Sequence, residues 1–271
     1  MRPEVVRCSV LGRTEIEMPG IRLTPESERQ FGLALFFCVN AGREVPRDEA
    51  AQLFWPEHGA EAARHCLRQA MYRLRALGVP VRSGAKTITL DASCVAADYA
   101  PVAVEGAPSA AYLRWEDVAV LPGYAPRFSA SFAEWVERFR SDLAARLRRG
   151  LVRGIADARS RGRYADVERL ARHCLTLDPL NEEATLALAE AVALAGGKAE
   201  AVGMIDRYVD EVGGHPDIRI PADILRARVS EMLFAAEECS WYEPGLLGRE
   251  REIEWLLSLF TRCQRGHQQY A

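Results

Sequence analysis

Between Tyr164 and Val212 the apolar residues recur at helical spacing and then recur again as a block. Val167, Leu170 and Cys174 return as Val202, Ile205 and Val209, and Gly162 and Gly197 stand 35 residues apart. Turns fall between the blocks at Asp178-Pro179-Leu180 and Gly196-Gly197, which predicts helices over Tyr164–Leu177, Asn181–Ala195 and Lys198–Val212. A repeat of about 34 residues built from helix pairs leaves each pair with an apolar face that only its neighbour can cover. The back half of the chain is therefore expected to be all-helical and stacked. Such a stack offers a concave surface to a peptide or a partner helix, or serves as a packing or dimerisation scaffold.

A long helix is predicted ahead of this array, from Ser131 to about Arg161-Gly162. Phe132, Trp135, Val136, Phe139, Leu143, Leu147, Leu151 and Ile155 fall on its buried side and Arg138, Arg140, Arg148, Arg149 and Arg153 mostly outside. Behind the array, Gly213-Gly214-His215-Pro216 is a break, 222–234 reads as a capping helix with Ile224, Leu225, Val229, Met232 and Leu233, and Glu237 to Pro244 is a linker.

The front of the chain has a different rhythm. Val5 to Val10, Thr14 to Met18 and Ile21 to Leu23 alternate and are separated by Leu11-Gly12-Arg13 and Pro19-Gly20, the pattern of a small antiparallel sheet. Thr24 as N-cap with Pro25 at the first helical position opens a helix that buries Phe31, Leu35, Phe36 and Val39. A shorter helix follows from Pro46-Arg47-Asp48-Glu49, carrying Ala50, Leu53 and Phe54 and closed by Trp55-Pro56.

Glu61 to Leu77 is the third helix. At about 100° per residue, Ala63, Leu67, Ala70, Leu74 and Leu77 form one stripe, while Arg64, His65, Arg68, Gln69, Tyr72 and Arg75 spread over the other side. Guanidinium groups neutralise phosphates or bond guanine edges, and glutamine pairs with adenine. A solvated arginine-rich surface helix has the same composition, so context decides. Val79 to Val81, a Ser83-Gly84-Ala85 turn and Thr87 to Leu90 read as a hairpin carrying Arg82 and Lys86. Sheet, three helices and a closing hairpin is the order of a winged helix-turn-helix, in which the third helix enters the major groove and the hairpin meets the backbone or minor groove.

Charge agrees with a local site. The chain carries a net charge of -3, yet residues 61–90 hold six basic residues against Glu61 alone, a local balance of +5. Residues 98–108, rich in Ala and Pro, read as the crossing between two units.

Catalysis is not expected. GxSxG, HExxH and phosphate-loop patterns are absent, and His58, His173 and His215 stand alone. Trp55, Trp115 and Trp135 read as packing residues. Seven scattered cysteines with no CxxC pair describe a reduced set without a zinc framework. No apolar run approaches the roughly 18 residues of a membrane span, and the N-terminus lacks a signal core. A cytoplasmic protein with no membrane contact, no metal and no cofactor is expected.

The ordered set Val45-Pro46-Arg47-Asp48-Glu49, Leu53, Trp55-Pro56-Glu57, Ala63-Arg64, Leu67-Arg68-Gln69-Ala70, Arg73-Leu74-Arg75, Thr89-Leu90 and Asp98 resembles the OmpR-type DNA-binding domain of the antibiotic-regulatory (SARP) activators. Leu121-Pro122-Gly123, Trp135 with Glu137-Arg138, Asp178-Pro179-Leu180 with Glu183, and Gly197 with Ala199-Glu200-Ala201 resemble their bacterial transcriptional activator domain. The resemblance implies an α+β protein with an N-terminal winged helix-turn-helix over 1–98 and an all-α, tetratricopeptide-like activator domain over 99–234. It implies an activator that binds double-stranded promoter repeats as a side-by-side homodimer and recruits RNA polymerase through its sigma and alpha subunits. By position, Arg64, His65, Arg68, Gln69 and Tyr72 would face DNA, Arg75 and Arg82 phosphates, and Lys86 would sit in the wing. His65 stands where the family often has Asn, which bears on base preference.

Residues 245–252, Gly-Leu-Leu-Gly-Arg-Glu-Arg-Glu, with Ile253, Leu256, Leu257 and Phe260 behind them, resemble the opening segment of the STAND-type signal-transduction ATPases. Residues 235–271 are accordingly expected to be a linker and the start of such a segment. No P-loop follows and no receiver domain precedes, so neither an ATP site nor control by aspartyl phosphorylation is expected. The alternative function is a helical interaction or oligomerisation module with weak or no DNA binding.

Overall fold

The computed structural model describes residues 5–103, 107–212 and 220–230. Its architecture is mixed α+β, with small sheets at the front and helices making up the rest. Strands β1 (Val6–Ser9), β2 (Glu15–Met18) and β3 (Ile21–Leu23) form the expected antiparallel run. A 3-10 turn, Pro25–Ser27, precedes helix α1 (Glu28–Val39), and the expected Thr24 cap makes no side-chain hydrogen bond. Strand β4 (Val45–Pro46) leads directly into α2 (Arg47–Phe54), and α3 (Ala60–Ala76) follows. Strands β5 (Val81–Ser83) and β6 (Thr87–Leu90) form the hairpin, and β4 adds to it in the order β4-β6-β5. Strand β7 (Val95–Ala97) then pairs parallel to β1 and completes the first sheet as β3-β2-β1-β7.

Across 98–113 the crossing contains two short helices, α4 (Ala100–Ala103) and α5 (Ser109–Tyr112). Asp98 ends the first sheet. Its carboxylate accepts from the backbone N–H of Val10 and of Leu11, each at 3.0 Å, closing the end of β1. Burial pushes this carboxyl above its ordinary value while those two bonds oppose the shift.

Helix α6 (Ala130–Ser160) starts one residue before the expected Ser131. Ser129 caps it by accepting from the Phe132 N–H, and its hydroxyl donates to the Leu53 carbonyl at 2.6 Å, tying the helix start to α2. One end of α6 buries Phe132 against Phe54, with ring centroids 4.5 Å apart, and sets Trp135 against Phe36 at 5.1 Å. Its far end pairs with α7 (Tyr164–Leu177), which pairs with α8 (Glu182–Leu194), which pairs with α9 (Lys198–Val212). One hydrophobic cluster runs from Val6 through Phe54 and Phe132 to Ile205, so α6 joins front and back through a shared core.

One side chain on α6 departs from the sequence reading. Arg140 turns inward and donates to the carbonyls of Val120, Leu121 and Tyr124, holding a loop in which Leu121 has φ 48°. Gly150 lies where any Cβ would overlap the Tyr112 phenol, so a large ring fits where no side chain stands. Residues 220–230 are helical with Ala222, Leu225 and Val229 buried, but Ile224 faces out. Met232, Leu233, His215, the linker and the ATPase-like segment lie outside the described residues.

Candidate nucleic-acid interface

Helix α3 is held by Ala63, Leu67, Met71 and Leu74, all buried. Ala70 and Leu77, expected on the buried stripe, are half-buried at its margin. Met71 is buried in the row where Ala70 is expected, and an unbranched thioether side chain is suited to filling irregular core space. Glu61 in the first turn and Arg73 and Arg75 in the last complement the helix dipole.

Arg64, Arg68, Tyr72 and Arg75 follow one another three or four residues apart on the exposed side of α3, with His65 and Gln69 beside them. Arg64 is engaged: its guanidinium grips Asp48 of α2 through Nε–Oδ1 at 2.6 Å and Nη2–Oδ2 at 2.9 Å. That pairing holds the Asp48 carboxyl below the usual range and raises Arg64 in turn. His65 and Gln69 meet each other, Nε2 to Nε2, at 3.0 Å. Arg68 and Tyr72 make no hydrogen bond or ion pair with any described residue, and Tyr72 is 74% exposed. A phenol ring left in water on the outer face of a helix has no role in the core.

Arg75 connects helix to hairpin. Its Nε donates to the Val81 carbonyl at 3.0 Å and Nη2 donates to the Ser83 hydroxyl. Arg82 pairs opposite Thr89 in the ladder, and Arg82 and Lys86 are both exposed. The Gly84 N–H closes the turn on the Thr87 carbonyl at 2.8 Å. All eight residues are exposed on the front unit, six on α3 and two on the hairpin that Arg75 bonds, and strand alternation puts Arg82 on the face of the hairpin opposite Val81 and Ser83.

One contributor escaped the sequence reading. Arg47, the first residue of α2, donates from Nη1 to the Gly84 carbonyl at 3.1 Å, and its backbone N–H bonds the Lys86 carbonyl at 2.9 Å. A cation in the first turn opposes the helix dipole. That mismatch was the available signal that Arg47 serves a contact outside its own helix.

Among the described residues no group of three or more His, Cys, Asp or Glu side chains is placed to hold a metal ion, and no helix is long and apolar enough to cross a membrane. Cys8, Cys38, Cys66, Cys94 and Cys174 are free thiols. Burial pushes the Cys174 thiol up to about 11, far from nucleophilic use at neutral pH.

No family profile and no curated protein matches the sequence. Among solved structures, Mycobacterium tuberculosis EmbR, determined in complex with a low affinity phosphopeptide, matches with a TM-score of 0.56 at 16% identity, over 86% of this chain and 71% of that one. The likeness is one of fold. A match over 86% of the chain takes in parts of both the sheet-bearing front and the helical remainder.

Proposed function

We propose that this chain is a DNA-binding transcription regulator whose front unit is a winged helix-turn-helix. In this reading α2 and α3 are the paired helices, α3 lies in the major groove and the β5–β6 hairpin is the wing. The observation that carries it is the exposed basic face that runs along α3 and, through the Arg75 bonds to Val81 and Ser83, onto a hairpin bearing Arg82 and Lys86. A surface that only needed solvation would not require the hairpin to be fixed to the helix. Arg68 and Tyr72, without partners among the described residues, are the base-reaching side chains, and Gln69 and His65 tune base choice. Arg64 exchanges its Asp48 partner for phosphate, and Arg47, Arg82 and Lys86 contact the backbone.

The fold shared with EmbR and the ordered resemblance to the SARP activators support the rest of the assignment. The stacked helices α6 to α9 act as a tetratricopeptide-like activator domain that presents a surface to the sigma and alpha subunits of RNA polymerase. The chain binds promoter repeats side by side as a homodimer in the cytoplasm. Gel shift with the chain's own upstream DNA tests this, using the parent, Arg68→Ala and Arg64→Ala, alongside retention of RNA polymerase with and without that DNA. The expected result is a shifted complex that weakens in both variants. Polymerase retention without any DNA shift would instead make the chain a protein-interaction module.

A further inference from the structure

An open cleft of about 530 Å³ lies between the C-terminal end of α1 and the middle of α6, within the roughly 300–1,000 Å³ typical of small-ligand sites. Its wall is aromatic. Trp135 and Phe139 lie parallel, with centroids 5.8 Å apart and 5° between planes, and Tyr99 meets Phe139 edge-on at 5.7 Å. All three rings are half-buried, leaving part of each accessible from the cleft. Such rings are large apolar contact surfaces of the kind that hold flat ligands.

The rim is cationic. Arg138 and Arg146 line the cleft, exposed, and neither makes an ion pair or hydrogen bond with a described residue. Three other arginines of α6 are paired, Arg140 with Glu137, Arg148 with Asp178 and Arg159 with Glu190, while Arg149, outside the cleft lining, is exposed. On the facing wall Arg43 reaches Asn40 Oδ1 at 3.5 Å and Glu49 at 3.7 Å. Asp142 is the one carboxylate lining the cleft, against three guanidinium groups. Tyr99 lines the same cleft as Arg146; burial raises its phenol, with the nearby Cys8 and Cys38 thiols and the Asp98 carboxyl adding to the rise, so its hydroxyl is a neutral donor, and it has no hydrogen-bond partner among the described residues.

We propose that this cleft binds a small planar aromatic carboxylate, its ring laid along Trp135 and Phe139 and its carboxylate held by Arg146 and the Tyr99 hydroxyl. Arg138 adds positive potential at the Trp135 end. A cation is disfavoured by the three guanidinium groups, and an uncharged ring would forgo the charge-assisted hydrogen bonds a carboxylate makes with Arg146. The ligand would touch the end of α1 and the middle of α6 together, spanning the seam between the sheet-bearing front and the helical back. The proposal is independent of DNA binding, and so is its test.

The probe is 2-naphthoate, titrated into the full chain with tryptophan emission and calorimetry as readouts, and 2-naphthamide is the neutral control. Saturable binding at one site is expected, with the amide roughly tenfold weaker and Arg146→Gln weakening the acid roughly tenfold. Tyr99→Phe should weaken it by a smaller factor, while Arg149→Gln, at an exposed arginine of α6 that does not line the cleft, should leave it unchanged. Arg146 is on the surface, so circular dichroism of its variant should match the parent. Absence of saturable binding at millimolar 2-naphthoate, equal affinity for the amide, or parental affinity in Arg146→Gln would each overturn the proposal. Binding of hexaglutamate in place of 2-naphthoate would overturn it in favour of an acidic peptide.

Discussion

Phe132→Ala removes a ring that is 0% exposed and stands 4.5 Å from Phe54, 5.2 Å from Phe128 and 5.4 Å from Trp135 between centroids. On the α1 side it lies directly over Gly32, which has no side chain to move into the space. A buried Phe→Ala change costs about 3–5 kcal/mol, depending on how far the site collapses. Here three fixed rings and a bare backbone allow little collapse, so about 4 kcal/mol is expected, a large share of the roughly 5–15 kcal/mol that holds a domain together. Because Phe132 belongs to α6 while Phe54 and Gly32 belong to the front, the loss should reach both parts. Urea unfolding followed by far-UV dichroism, dominated by the helices, and by near-UV dichroism, dominated by the aromatic cluster, should shift together to lower urea with an unchanged slope. A loss under about 1 kcal/mol, or a shift in the near-UV signal alone, would refute the claim that α6 joins front and back in one cooperative core.

Gly150→Ala should lower the thermal midpoint through a cost of about 1–3 kcal/mol, since the added methyl overlaps the buried Tyr112 phenol. Burial holds His173 below its ordinary value, so the folded state binds fewer protons there than the unfolded one. Its contribution is full above the unfolded value near about 6.5 and is lost as pH falls from there through the folded value. His173→Gln should flatten that part of the stability profile, measured as urea midpoints between pH 8 and 5, and an unchanged slope would count against the assignment. Asp48→Asn should strengthen DNA binding in an anisotropy titration, because it releases Arg64 from a carboxylate that competes with phosphate.

Long periodic elements were legible in the sequence and short cross-chain ones were not. The spacing of Val167, Leu170 and Cys174 and the glycines at 162 and 197 place α7 to α9 within a residue or two, because these helices stack on sequence neighbours. Strand β7 was invisible: Val95-Ala96-Ala97 has no alternation, and its partner β1 lies some ninety residues earlier. The same holds for β4, where Pro46 reads as a helix start and also lies opposite Thr87 in the small sheet. At the candidate site, the exposed identities of Arg64, Arg68, Gln69 and Tyr72 followed from periodicity alone. Their pairings did not. That Arg64 grips Asp48, that Arg75 bonds the hairpin and that Arg47 reaches Gly84 depend on how α2, α3 and β5–β6 pack, which sequence spacing does not encode.

The central claim is that α3 and its attached hairpin form a DNA-reading surface. Fluorescence anisotropy of labelled upstream DNA at several salt concentrations, comparing the parent with Arg68→Ala, Arg82→Ala and Arg149→Ala, tests it most directly. Arg68→Ala is expected to lose about 1–3 kcal/mol on the upstream sequence and to discriminate less against unrelated DNA. Arg82→Ala should weaken all sequences alike and reduce the salt slope by about 1, with Arg149→Ala indistinguishable from the parent. If Arg68→Ala and Arg82→Ala bind as the parent does, in affinity and in salt slope, this surface does not read DNA.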